Sequence, residues 1–201
     1  MTDSRTGAPI GIDRGWDYAP GASVSDLVAN LVPKLEALPE RPSIDLIQSW
    51  LQIDAFAEWF SNPKGSWPLV RISDDDAIRI GAKKRVAVLS EATLKKQKTH
   101  HPELTIDEYR AAQDVLAKAE IKFTQVDNDT GTSSRVYVLE IGDQNVGGYV
   151  LVVKATFTGD GLFVESFRRL SRDAARRDAE IGKMINSKKR KTINDQEGEG
   201  K

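Results

Sequence analysis

The chain has no cysteine, only two histidines and almost no net charge. Without cysteine there can be no disulfide, thiolate metal ligand or cysteine nucleophile. The histidines, His100 and His101, are adjacent. Neighbouring side chains diverge, so this pair cannot chelate at helical i,i+4 spacing. No HExxH or third-ligand pattern accompanies them, so neither a metal nor a cofactor is expected. Also missing are the G-x-S-x-G, Walker and G-x-G-x-x-G patterns, which leaves the commonest hydrolase and nucleotide-binding readings unsupported. Long apolar runs are lacking too. The longest, such as Tyr149–Val153, fall far short of a membrane span, and the N-terminus has no apolar core after a basic start. A cytoplasmic protein with no membrane partner is therefore expected.

What is present is an uneven charge. The total of 29 Lys+Arg and 30 Asp+Glu leaves −1, which excludes a uniformly basic nucleic-acid coat. Residues 1–62, however, carry nine acids against four bases, whereas residues 168–191 carry ten bases against three acids. A local excess of +7 attracts polyanions even when the whole molecule is neutral.

The 201 residues with 39% hydrophobic content suffice for one domain with a small appendage. Residues 1–22, rich in Gly, Pro and Asp, read as an extended arm in which Trp16 and Tyr18 stand out as docking residues. Residues 23–65 read as a helical preface, with one helix over 26–38 containing Pro33. A second helix is capped by Ser43 and runs to Asn62. Residues 66–187 form the main domain. In it, 85–89 is a short strand, Ser90 starts a helix to about Thr99, and Thr105 with Glu108 opens a helix over 106–119 as a capping box. Four strands follow at hairpin spacing, over 121–126, 135–141, 148–157 and 162–169, then a basic helix over 172–187. Residues 188–201 read as a disordered polar tail. The fold class expected is α+β: N-terminal helices packed on a four-stranded antiparallel meander sheet, with a C-terminal helix.

Alternation places Tyr149, Leu151, Val153, Ala155 and Phe157 on the core face of the third meander strand. A three-residue hairpin at Gly159–Gly161 would pair Lys154 with Ser166 and Thr156 with Val164. Lys154, Thr156, Ser166 and Arg168 would then share the opposite face, two cations and two hydroxyls suited to a phosphodiester. In that register Glu165 falls opposite Ala155 on the apolar face, which has no ready explanation. His101, at a helix end, is a candidate general acid or base. Lys96, Arg169 and Arg172 are candidate substrate-binding cations. An ordinary solvent-facing sheet and an exposed loop histidine would give the same pattern.

The segments Leu89–Lys96, His101–Thr105 with Tyr109, Val153–Thr156 and Glu165–Arg168, in this order, resemble one family. It is the C-terminal domain of Mu F-like phage head morphogenesis (minor head) proteins, grouped with the barnase, EndoU, colicin E5/D and RelE-like nucleases. The stretch 15–21 also looks like the segment preceding that domain. The resemblance covers roughly residues 10–185. It implies a phage or prophage-encoded, metal-independent ribonuclease with its site on the exposed sheet face. His101 would move a proton, Lys154 and Arg168 would stabilise the phosphorane, and Thr156 and Ser166 would position it. RNA would be the partner, in the host cytoplasm or from a virion. The chain is expected to lack the larger head-protein domain that precedes this one in the family. The alternative reading is a non-catalytic head-associated protein, attached to phage head proteins through Trp16 and Tyr18. A general nucleic-acid-binding module using the basic stretch is a third reading, without an aromatic platform of the RNP kind. No coiled-coil heptads point to an oligomer.

Overall fold

The structure, a computed structural model, describes residues 24–127, 129–141 and 146–194. The Trp16/Tyr18 arm and the turn over 142–145 lie outside the described residues.

Helix α1 (Val24–Ala37) contains Pro33 and buries Leu31 and Leu35 completely. The single helix expected from Ser43 to Asn62 is two: α2 (Glu40–Leu51) and α3 (Asp54–Ser61). Helix α2 starts at the N-cap Pro39. Pro42 falls in its first turn, where backbone N–H groups have no intrahelical acceptor, so the missing donor costs little. Ser43 is therefore a buried residue inside α2 and not a cap. The chain breaks at Ile53, whose backbone is extended. Phe56 and Trp59 then stack at 6.0 Å and close on Trp67.

The order continues β1 (Ser66–Arg71), α4 (Asp74–Arg79), β2 (Val86–Ser90), α5 (Glu91–His100), α6 (Ile106–Arg110) and α7 (Ala112–Lys118). Then come β3 (Ile121–Val126), β4 (Ser133–Glu140), β5 (Gly148–Ala155), β6 (Leu162–Arg169) and α8 (Ala174–Asn194). The expected four-stranded antiparallel meander is corrected here. The sheet has six strands in the order β1-β2-β6-β5-β4-β3, and β2 runs parallel to β6. The four hairpin-spaced strands are neighbours inside this larger mixed sheet. Strand β1 carries Pro68, which argues against a central strand. It lies at the sheet edge, with an irregularity between Pro68 and Val70. Helix α8 also continues to Asn194, into the stretch read as a tail.

Helices stand on both faces. The larger core joins α1–α3, α5, α6 and α7 to one face through Leu94, Tyr109, Leu151, Val153, Val164 and Phe167. A smaller core on the other face seats Ile181 of α8 against Val136, Val138 and Val150. The helix expected over 106–119 is two, α6 and α7, which meet at Ala111, whose backbone leaves the helical range. The N-terminal ends of α5 and α6 are fixed as the sequence implies. Ser90 caps α5 by accepting the Thr93 N–H, and Thr105 and Glu108 complete a capping box on α6.

The β5–β6 register differs from the expected one. Ala155 pairs with Leu162, Lys154 with Phe163 and Val153 with Val164, whereas Val152 pairs with Ser166. The Thr156 hydroxyl is the reason at the turn: it accepts the Gly161 N–H at 3.0 Å and ends the strand two residues early. Glu165 is the extra residue of a bulge. It therefore turns away from the apolar face, which removes the expected clash with the core.

Candidate functional site

Of the five residues expected to converge, Lys154 and Thr156 line one hollow, while His101, Ser166 and Arg168 do not join them there. His101 caps the C-terminal end of α5, its N–H bonded to the Gln97 carbonyl and its Nδ1 3.5 Å from Glu103 Oε1. Gln97 in turn accepts the Tyr109 hydroxyl at 2.5 Å, and Tyr109 packs edge-on against Phe167. His101 thus belongs to the helix-covered face. Lys154, Ser166 and Arg168 belong to the face that α8 partly covers, with the sheet between them and His101. Arg168 is drawn to α8, 3.2 Å from Glu180 and 3.4 Å from Met184 Sδ. Ser166 is half-buried opposite Val152. The Thr156 hydroxyl is engaged by the hairpin turn.

The three further cations separate as well. Lys96 is exposed on α5, and Arg172 is exposed at the entrance to α8. Arg169 is on the helix-covered face, where its Nε and a terminal nitrogen donate to the two Glu108 oxygens at 2.6 and 2.8 Å. Tyr149 donates to the same carboxylate at 2.8 Å. Burial works against the Glu108 charge, but bonds from Arg169, the Thr105 N–H and Tyr149 outweigh it and hold its pKa down at about 2. Burial and the neighbouring carboxylate push the Tyr149 phenol up to about 12. This cluster is a fixed carboxylate clasp with no group poised to exchange a proton near neutrality.

A different constellation forms around Lys154. Its Nζ lies 3.4 Å from Glu165 Oε1 and 3.5 Å from Asp127 Oδ2. Ser134 donates to the other Glu165 oxygen at 3.3 Å. The Thr130 hydroxyl and, more weakly, the Lys154 charge hold the Asp127 carboxyl below its usual range. Beside the pair, between β6 and the start of α5, lies a hollow of about 430 Å³. Ala155, Val164, Phe157 and Phe163 form its apolar walls, with hydroxyls from Thr93 and Thr132. Phe157, placed on the core face by alternation, is instead 79% exposed, because β5 ends before it. A larger groove between α2 and α6–α7 has carboxylates at Asp45, Asp107 and Asp114. These are taken up by Arg41, Arg110 and Gln48.

Of the Lys154–Glu165 ion pair, the sequence offers Lys154 as a candidate and gives Glu165 no role. The available signal was the charged residue interrupting an apolar alternation, which is how a bulge shows in sequence. Among the described residues no group of three His, Asp or Glu side chains is placed to hold a metal ion, and no helix is long and apolar enough to cross a membrane.

Compared with family models, curated proteins and solved structures, the chain matches none. The likeness to the Mu F-like domain rests on its short motifs alone.

Proposed function

We propose that the chain is a phage or prophage-encoded RNA endonuclease that works without metal, with Glu165 and Lys154 as its catalytic residues. The observation that carries this reading is the Lys154–Glu165 pair, 3.4 Å apart on an open part of the sheet. Glu165 takes the proton of a ribose 2′-hydroxyl, and that oxygen attacks the adjacent phosphorus. Lys154 stabilises the charge that develops on the phosphorane oxygens, and the 5′ oxygen departs with a proton taken from solvent water. The product is a cyclic phosphate end. The reading places the protein in the host cytoplasm or in a virion, with RNA as its partner. His101, Thr156 and Arg168 have no part in this chemistry.

A second reading is a non-catalytic head-associated protein. It is favoured by the commitment of Arg168 to Glu180 and Arg169 to Glu108, which leaves one lysine between two carboxylates at the site. Incubation of the full chain with total RNA in EDTA separates the two. Wild type and His101→Ala should cut equally, whereas Lys154→Ala and Glu165→Gln should each lose about 100-fold or more. Equal cleavage by all four proteins would sink the site. Intact RNA throughout would favour the head-associated reading.

A further inference from the structure

We infer that the hollow beside Lys154 is a nucleobase-stacking site, and that it restricts the substrate to single-stranded RNA. The substrate class rests on the ribonuclease reading above; the stacking geometry does not. Phe157 and Phe163 are, at 79% and 39%, exposed aromatic side chains lining the same hollow. An exposed phenyl ring forfeits the burial that makes it useful in a core, so two at one hollow mark a surface built for contact.

Both rings also lie close against a glycine. A Cβ on Gly131 would come 3.3 Å from Phe157 Cε2, and one on Gly161 would come 2.8 Å from Phe163 Cε2. Each ring therefore lies against a glycine, in a slot that any larger residue would fill. Phe163 is further fixed by its pairing with Lys154 on one side and Val88 on the other. The apolar floor of Ala155 and Val164 suits a planar ring, and the Thr93 and Thr132 hydroxyls at the wall suit its polar edge.

A base in this hollow has left any helical stack. Aromatic faces accept every base, and each stacked base is worth a substantial part of single-strand affinity. A duplex, whose bases face one another, cannot supply one without opening. The hollow adjoins Lys154 and Glu165, so a base held there leaves its sugar and phosphate next to the pair.

The test is equilibrium binding of short, fluorescently labelled 2′-O-methyl RNA, in which the attacking oxygen is blocked, by anisotropy at one fixed salt concentration. Wild type should bind the single strand more tightly than the same strand annealed to its complement. Phe157→Ala should weaken binding by about 5- to 100-fold. Its melting temperature should not change, because the ring is exposed. Phe157→Trp should bind at least as well as wild type. Equal affinity of Phe157→Ala and wild type, a preference for duplex, or no binding of either form would overturn the inference. The last outcome would point to a protein side chain as the occupant. Binding that depends on Phe157 while unmodified RNA stays intact would leave the stacking site standing and remove the nuclease reading. Cleavage of unmodified RNA with unaltered binding by Phe157→Ala would do the opposite.

Discussion

Arg169 holds both Glu108 oxygens through two hydrogen bonds, 2.6 and 2.8 Å long, and so ties the end of β6 to the first turn of α6. The same carboxylate accepts the Thr105 N–H at 2.7 Å as the returning half of the capping box. One side chain thus starts a helix and anchors it to the sheet.

That double duty makes Arg169 sensitive to conservative change. Lysine has a point charge and no planar fork, so Arg169→Lys should lose the paired geometry. Arg169→Ala should cost about 2–3 kcal/mol, because it strands a largely buried carboxylate. Urea unfolding of the two variants and wild type checks both. A loss within 0.5 kcal/mol, roughly the surface-substitution range, would contradict the clasp.

Acid should weaken the same contact. The Glu108 pKa is about 2 in the folded chain against an ordinary 4.5. A depressed carboxyl contributes stability that is fully present above its unfolded pKa and is lost as pH falls through the folded value. Stability should therefore drop between pH 4.5 and about 2, by on the order of 2 kcal/mol from this group. Glu108→Gln should be less stable at neutral pH and should show a flatter decline in that window, measured by unfolding at stepped pH.

Asp76 joins α4 to β4. It accepts Arg135 Nε at 2.6 Å and the Tyr137 hydroxyl at 3.0 Å, and all three side chains are largely withdrawn from water. Asp76→Ala leaves a buried guanidinium and phenol without their acceptor. A destabilisation of about 3–5 kcal/mol is expected. Adding Arg135→Met to Asp76→Ala should recover part of it, a result that a double-mutant unfolding cycle would read directly.

Gly159 has φ +74°, and a Cβ there would come 2.2 Å from the Gly81 carbonyl oxygen. Its own carbonyl accepts the Lys83 N–H at 2.8 Å, so the hairpin tip is seated on the preceding loop. Gly159→Ala combines a strained backbone with a backbone clash and should cost at least about 1–2 kcal/mol. Gly182, where a Cβ meets nothing within 4 Å, is the control, and Gly182→Ala should be neutral or stabilising.

Arg168 separates the two views of the site. Its guanidinium serves the α8 contact, so Arg168→Met should lower the melting temperature and, under the proposed ribonuclease reading, leave RNA cleavage per folded molecule unchanged. A variant that folds normally and fails to cut RNA would return Arg168 to the chemistry.

Features written in short sequence windows were legible. The caps at Ser90 and Thr105 and the bounds of β3 and β6 follow from side chains within a few residues of the elements they define. What depended on distant partners was not. Pro68 suppresses the strand signal of β1, and only its edge position makes the proline acceptable. Nothing local in Val86–Ser90 announces a parallel neighbour far along the chain. At the candidate site, Lys154 stood out in the sequence but its company did not. A single bulge moved Glu165 across the sheet, and the early end of β5 moved Phe157 out of the core. His101 kept its place at a helix end, yet the layer that helix joined was a tertiary fact.

The parallel join between β2 and β6 consists of one residue pair, Val88 opposite Phe163. On one side of it lies a meander whose strands follow one another through short connections, and on the other a two-stranded ribbon with its helices. Closing the join fixes the whole chain from 89 to 162 as a loop, an entropic cost that the meander's hairpins avoid. Within the sheet itself the two halves are sewn by this single stitch, beside the side-chain contacts that also join them, and amide exchange should find the Val88 region opening before the centre of β4 and β5.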